Sequence, residues 1–194
     1  MMLGPGKRRT ALPFTTGKAM LKKIALVVAV LLAGLLIAAA ARPDSFQLQR
    51  STRIQAPPAK VFALIDDFHQ WAVWSPWERM DPAMKRSYTG PAGGPGAHYA
   101  WEGNSKVGAG SMTIADSTPP HRLRVKLDFL TPFEAHNVAE FTLQPAAGGT
   151  DVTWTMSGPQ PFMAKLMGLF FSMEKMVGPD FEAGLANLKS AAER

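Results

Sequence analysis

Residues 121–130 read His-Arg-Leu-Arg-Val-Lys-Leu-Asp-Phe-Leu. Leu123, Val125, Leu127 and Phe129 alternate with Arg122, Arg124, Lys126 and Asp128, so an extended chain here has one apolar side and one charged side. A period of two with that contrast describes a strand of an antiparallel sheet, buried on one face and wet on the other. Val152, Trp154 and Met156 repeat the pattern. Phe46, Leu48 and Arg50, alternating with Gln47, Gln49 and Ser51, open a first strand that runs to about Ile54.

Working outward, the spacing predicts strands at 84–89, 97–102, 107–115, 121–130, 135–143 and 150–157. Turn signals separate them: Gly93-Gly94-Pro95-Gly96, Gly103-Asn104, Pro119-Pro120, Thr131-Pro132 and Gly148-Gly149. Glycine at such points permits the positive φ of tight hairpins. Between the first strand and this series, Pro57-Pro58 starts a short helix that buries Val61, Phe62 and Ile65. Phe68, Trp71 and Val73 mark a second short helix before Ser75-Pro76. The last 34 residues change period: Phe162, Leu166, Leu169, Phe170 and Met173 fall at helical spacing. Phe181, Leu185, Leu188 and Ala192 make a second stripe, with a break or kink expected at Gly178-Pro179. A long amphipathic helix after a one-sided sheet must lie across that sheet to bury its stripe. The fold class is therefore α+β, with a curved seven-stranded antiparallel sheet and a long C-terminal helix.

The amino-terminal end is of another kind. Lys7, Arg8, Arg9, Lys18, Lys22 and Lys23 account for the whole net charge of +6, and the rest of the chain is balanced. The charge thus belongs to a tail and carries no nucleic-acid signature. Ile24 to Ala41 contains no charged residue and spans about 27 Å as a helix, near the thickness of a bilayer core. The expected division is a disordered basic tail at 1–19, a transmembrane anchor at 20–43 and one domain at 44–194. Met20 is an alternative start. A cleaved signal peptide is the competing reading, with Ile24–Ile37 as its apolar core and Ala39-Ala40-Ala41 at the cleavage point. Cations before the run predict a single-pass inner-membrane protein, its N-terminus cytoplasmic and its domain on the periplasmic side. The chain has no cysteine, which excludes disulfides, thiolate metal sites and cysteine nucleophiles.

Particular residues carry a family likeness. They are Ala56-Pro57-Pro58-Ala59-Lys60-Val61-Phe62, Trp71-Ala72-Val73-Trp74-Ser75-Pro76-Trp77, Tyr99-Ala100-Trp101-Glu102-Gly103-Asn104, Gly108-Ala109-Gly110-Ser111-Met112 and Gly178-Pro179-Asp180-Phe181-Glu182 with Gly184-Leu185. In these the chain resembles the START-like (SRPBCC) superfamily of polyketide cyclases and lipid-transport proteins, and more closely its membrane-tethered bacterial branch. The resemblance spans roughly 44–194 and implies a helix-grip fold, in which the sheet wraps the last helix around an apolar cavity. It implies a cavity lining of Tyr99, Trp101, Leu123, Val125, Leu127, Phe129, Phe141 and Trp154 from strands, and of Met167, Phe170 and Phe171 from the helical side. The expected guest is a hydrophobic small molecule or lipid. Clustered Met163, Met167, Met173 and Met176 could serve as an adaptable wall or as ordinary core.

Catalytic chemistry is poorly supported. His98 and Glu102 share a strand face, but Tyr99 and Trp101 claim the inward one and leave that pair solvated. His69, His121 and His136 form no spaced metal pair, and a shared face for His136 and Glu140 is weak. No nucleophile elbow, Walker loop or dinucleotide fingerprint occurs. No catalytic residue, metal or cofactor is expected. Trp71, Trp74 and Trp77 read as a structural plug of the short-helix corner, and Arg122, Arg124 and Lys126 as a solvated face. Two rival functions remain: a cyclase or dehydratase, which needs Glu102, His98 or Tyr88 inside the pocket, and a protein-interaction or envelope-stress module.

Overall fold

A computed structural model describes residues 16–194, with side chains from Met20 onward. The expected basic tail lies outside the described residues except for Thr16–Ala19, which already belong to the first helix. The chain divides between Arg42 and Pro43 into two units. The first carries α1 (Thr16–Ala40), whose segment Met20–Ala40 is long and apolar enough to cross a membrane. A signal sequence meets the same description.

The second unit runs β1 (Ser45–Ile54), α2 (Pro58–Ile65), a 3-10 turn (Phe68–Gln70), α3 (Trp71–Trp74), a second 3-10 turn (Pro76–Arg79), then six strands and two helices. The strands are β2 (Lys85–Thr89), β3 (His98–Glu102), β4 (Ala109–Thr118), β5 (Arg122–Thr131), β6 (Ala135–Ala146) and β7 (Gly149–Pro159). The helices are α4 (Phe162–Met167) and α5 (Met173–Ala192). The sheet order is β1-β7-β6-β5-β4-β3-β2, antiparallel throughout. Each expected strand is present within a few residues, because each has an alternating face to bury.

Curvature enters at β4. Its register with β5 shifts between Ala109 and Gly110 and again between Ile114 and Asp116, where bulges increase local twist. Gly110 also permits a close approach: a Cβ there would stand 2.6 Å from the Trp101 ring.

The C-terminal segment departs from expectation. α5 runs unbroken through Gly178-Pro179, and the chain instead breaks after Met167. Phe170 therefore sits in a link with Phe171, not on a helical stripe. The face of α4 that packs inward carries Lys165, which is buried and pairs with Asp44. Met163, Met167, Met173 and Met176 are exposed, so they are neither core nor wall.

α5 buries Phe181, Leu185, Leu188 and Ala192 as one stripe. Facing it, Phe141 and Trp154 stack at 4.9 Å, and Trp154 stacks on Phe181 at 4.0 Å. Trp74 meets Phe141 and Trp154 edge-on at 6.0 and 5.6 Å. The tryptophan plug has a backbone reason as well. The last carbonyls of a helix have no partner within it, and at the end of α2 those of Leu64 and Ile65 accept the indole N–H groups of Trp74 and Trp71, each at 2.9 Å.

Candidate functional site

The residues expected to line one cavity fall into three places. Leu123, Val125, Phe141 and Trp154 are fully buried in the packed core, where aromatic rings from α3, β6, β7 and α5 occupy the space between sheet and helix. Met167, Phe170 and Phe171 are exposed. Tyr99, Trp101, Leu127 and Phe129 come together on the inner face of β3 and β5, and all but Tyr99 are only partly buried. That inner end of the sheet is the candidate site.

It is built as a ladder of rings. His69 stacks on Tyr88 at 4.1 Å, Tyr88 on Tyr99 at 5.1 Å, and Tyr99 on Trp101 at 5.9 Å; Phe129 meets Trp101 edge-on at 5.8 Å. Antiparallel pairing explains the order, since Tyr88 and Tyr99 are directly opposite and Trp101 faces Gly110. The Trp101 indole donates to the Val107 carbonyl at 3.0 Å, which holds its ring flat against the sheet.

Sequence reading missed the polar end of this ladder. Glu78, from the turn after Trp77, has a side chain only 8% exposed. Its Oε1 accepts from the Tyr99 hydroxyl at 2.6 Å and its Oε2 from Arg86 Nε at 2.7 Å. Arg86 also donates to the Glu78 carbonyl at 3.0 Å and to that of Met84 at 2.7 Å. Burial, followed by the bond to Glu78, pushes the Tyr99 phenol far up. Burial and the Glu78 charge raise Tyr88 as well. No local motif announces this trio, because its members meet only when β2, β3 and the turn are assembled. As a chemical device it is closed: both carboxylate oxygens are taken and the tyrosine keeps its proton.

The other candidate acids and bases point elsewhere. Glu102 is exposed and lies 3.6 Å from Lys85, while His98 Nδ1 contacts Thr113 Oγ1 at 2.9 Å on the outer face. His136 Nδ1 lies 2.7 Å from Asp128, and that bond chiefly raises its pKa. Arg122 pairs with Asp116 on the solvated face. Among the described residues no three His, Cys, Asp or Glu side chains are grouped to hold a metal. Trp71 and Trp74 are buried and Trp77 partly so, and at that corner Val73 is exposed.

Two surface hollows are present, and the first adjoins the ladder. One, of about 230 Å³, is lined by Phe68, His69, Tyr88, Pro91 and His98 at the outer end of the ladder. The other, of about 400 Å³, lies between α2 and the β4–β5 turn, beside Phe62, Asp66, Pro119 and Pro120.

A family model described as polyketide cyclase / dehydrase and lipid transport matches residues 45–193. The chain belongs to that family. The match begins at β1 and ends with α5, so the whole second unit is the family's domain. Solved structures share its helix-grip architecture. Protein CV1439 from Chromobacterium violaceum aligns with a TM-score of 0.55 at 16% identity, over 79% of this chain and 99% of that one. The di-domain ARO/CYC protein BexL, from the BE-7585A biosynthetic pathway, aligns with a TM-score of 0.59 at 18% identity, over 91% of this chain and 60% of its own. The Aha1 dimer from Colwellia psychrerythraea aligns at 0.54 and 17%, over 76% and 96%. At such identities the likeness is one of fold alone. No curated protein matches the chain.

Proposed function

We propose that this polyketide cyclase/dehydrase-type domain is a non-catalytic binding module, tethered to the inner membrane by α1 with the domain on the periplasmic side. It holds a hydrophobic small molecule or lipid against the inner face of the sheet at Tyr99, Trp101, Leu127 and Phe129. The observation that carries this reading is the half-open aromatic ladder. Large rings left partly wet on a concave face, beside a core otherwise closed, offer apolar area that a guest can cover. Such burial yields roughly 25 cal/mol per Å². Flat rings also favour flat or chain-like guests by stacking.

The closed state of the Glu78–Arg86–Tyr99 trio supports a binder over an enzyme. A general acid or base needs a proton it can exchange near neutral pH, and here the phenol keeps its proton while the carboxylate is occupied on both oxygens. The cyclase reading draws on the family description and on Tyr88, which stands in the ladder beside Tyr99 as that reading requires; burial and the Glu78 charge raise its phenol, which weakens it as an acid.

The test is native mass spectrometry of the second unit, residues 43–194, together with displacement of an apolar fluorescent probe. Trp101→Ala and Phe129→Ala should each weaken probe binding several-fold while the fold persists. Equal probe affinity in the parent and both variants would remove the ladder as the site.

A further inference from the structure

Most of the large apolar side chains that the second unit exposes lie at one end. Leu130 and Phe133, on the β5–β6 hairpin, and Met163, Phe170, Phe171 and Met176, on α4, its link and the start of α5, each expose between 60 and 70% of their surface. Scattered single exposures are ordinary; a contiguous group of aromatic and thioether side chains marks an interaction surface.

The register puts both segments at the same end of the sheet. Phe129 pairs with Ala135, so the β5–β6 turn lies beyond them, and Pro159 pairs with Ser45, so β7 leaves for α4 where the chain enters β1. Two bonds pin α4 there: Lys165 Nζ to the Asp44 carboxylate, and the Gln160 amide to the Asp44 carbonyl at 2.7 Å. Ala41–Asp44 alone separate α1 from β1, and four residues reach at most about 14 Å.

We infer that this rim, with Phe133, Phe170 and Phe171 at its crest, docks into the headgroup boundary of the lipid bilayer that α1 spans. The inference rests on the anchoring proposed above. Four residues link β1 to the helix proposed to span the bilayer, so lipid is the partner to which an apolar surface of this domain is tethered. Its charges are mixed, with Lys175 near Glu174 and Glu134 near the hairpin, so apolar insertion rather than attraction to anionic lipid drives the contact.

The absence of native cysteine makes the test direct. Phe133→Cys, Phe171→Cys, Leu31→Cys and, on the opposite end of the sheet, Ala147→Cys are each labelled with an environment-sensitive dye. The full chain is then placed in phosphatidylcholine vesicles with or without brominated acyl chains. Bromolipid should quench the labels at 133 and 171 as well as the one at 31, and spare the one at 147. Quenching at 31 but not at 133 or 171 overturns the docking alone. Blue-shifted emission at 133 and 171 without bromolipid quenching also overturns it, by assigning the rim to a protein partner or a second copy. No quenching at 31 removes the anchor and the docking with it.

Discussion

Arg50 of β1 lies across Gly178 of α5, and its guanidinium reaches the carboxylates on either side of that glycine. Nε donates to Glu182 at 2.8 Å, and a second donor reaches Glu174. Glu174, Gly178 and Glu182 share one helix face at four-residue intervals, so the missing side chain at 178 is the slot through which Arg50 passes. A Cβ there would stand 2.5 Å from its terminal nitrogen. This is how the first strand grips the last helix.

Removing the clamp should loosen α5 locally. Arg50→Ala and Gly178→Ala are both expected to speed amide hydrogen exchange over residues 173–178 more than over 185–192. Alanine favours a helix interior over glycine by about 1 kcal/mol, but at 178 it meets the ring of Pro179, which opposes that gain. Unchanged exchange in both variants would show that the ion pairs hold nothing.

Gly184 meets a less forgiving neighbour. An added Cβ would stand 2.9 Å from the Trp154 ring, which is held between Phe141 and Phe181 and cannot swing aside. Overpacking of this kind costs about 1–3 kcal/mol, and the gain in helix propensity offsets only part of it. Gly184→Ala should therefore lower Tm by several degrees in a thermal melt.

The buried tryptophans should respond differently to loss of the indole nitrogen. Trp71 and Trp74 donate to the C-terminal end of α2, whereas Trp154 Nε1 is buried with no partner among the described residues. An unpaired buried donor costs about 1–3 kcal/mol. Trp154→Phe removes that penalty along with some volume, while Trp74→Phe strands the Leu64 carbonyl. Denaturant unfolding should rank Trp74→Phe as the more damaging change; the reverse order would mean that the Trp154 nitrogen is satisfied.

Tyr88 and Tyr99 are the chain's two tyrosines, which makes an alkaline titration readable. Both phenols are raised in the folded state, chiefly by burial. A raised folded pKa means that the associated stability is fully present below the unfolded value near 10 and is lost as pH climbs above it. Tyrosinate absorbance should thus lag behind that of free tyrosine above about pH 10 and then rise together with unfolding. In Tyr99→Phe that phenol's share of the alkaline loss is gone, so stability should fall less steeply with pH above about 10 than in the parent.

How far the chain could be read depends on the range of the forces involved. The alternation at Leu123–Phe129, the glycine and proline turns and the stripe from Phe181 to Ala192 are local consequences of backbone period. They specified strands, hairpins and the final helix, and the charge-free run after Lys23 specified an apolar helix. The plug by Trp71 and Trp74 was also visible, as large rings placed beside a short helix.

Tertiary structure alone decided which apolar residues became core, site or surface. Phe170 fits a helical stripe in sequence, yet the chain breaks after Met167, and Lys165 rather than a phenylalanine packs inward. Glu78, Arg86 and Tyr99 hold no local relationship to one another, and neither do Arg50 and Gly178. Each such contact joins segments that have no reason to meet until the sheet has curved, so short-range pattern carries no trace of it.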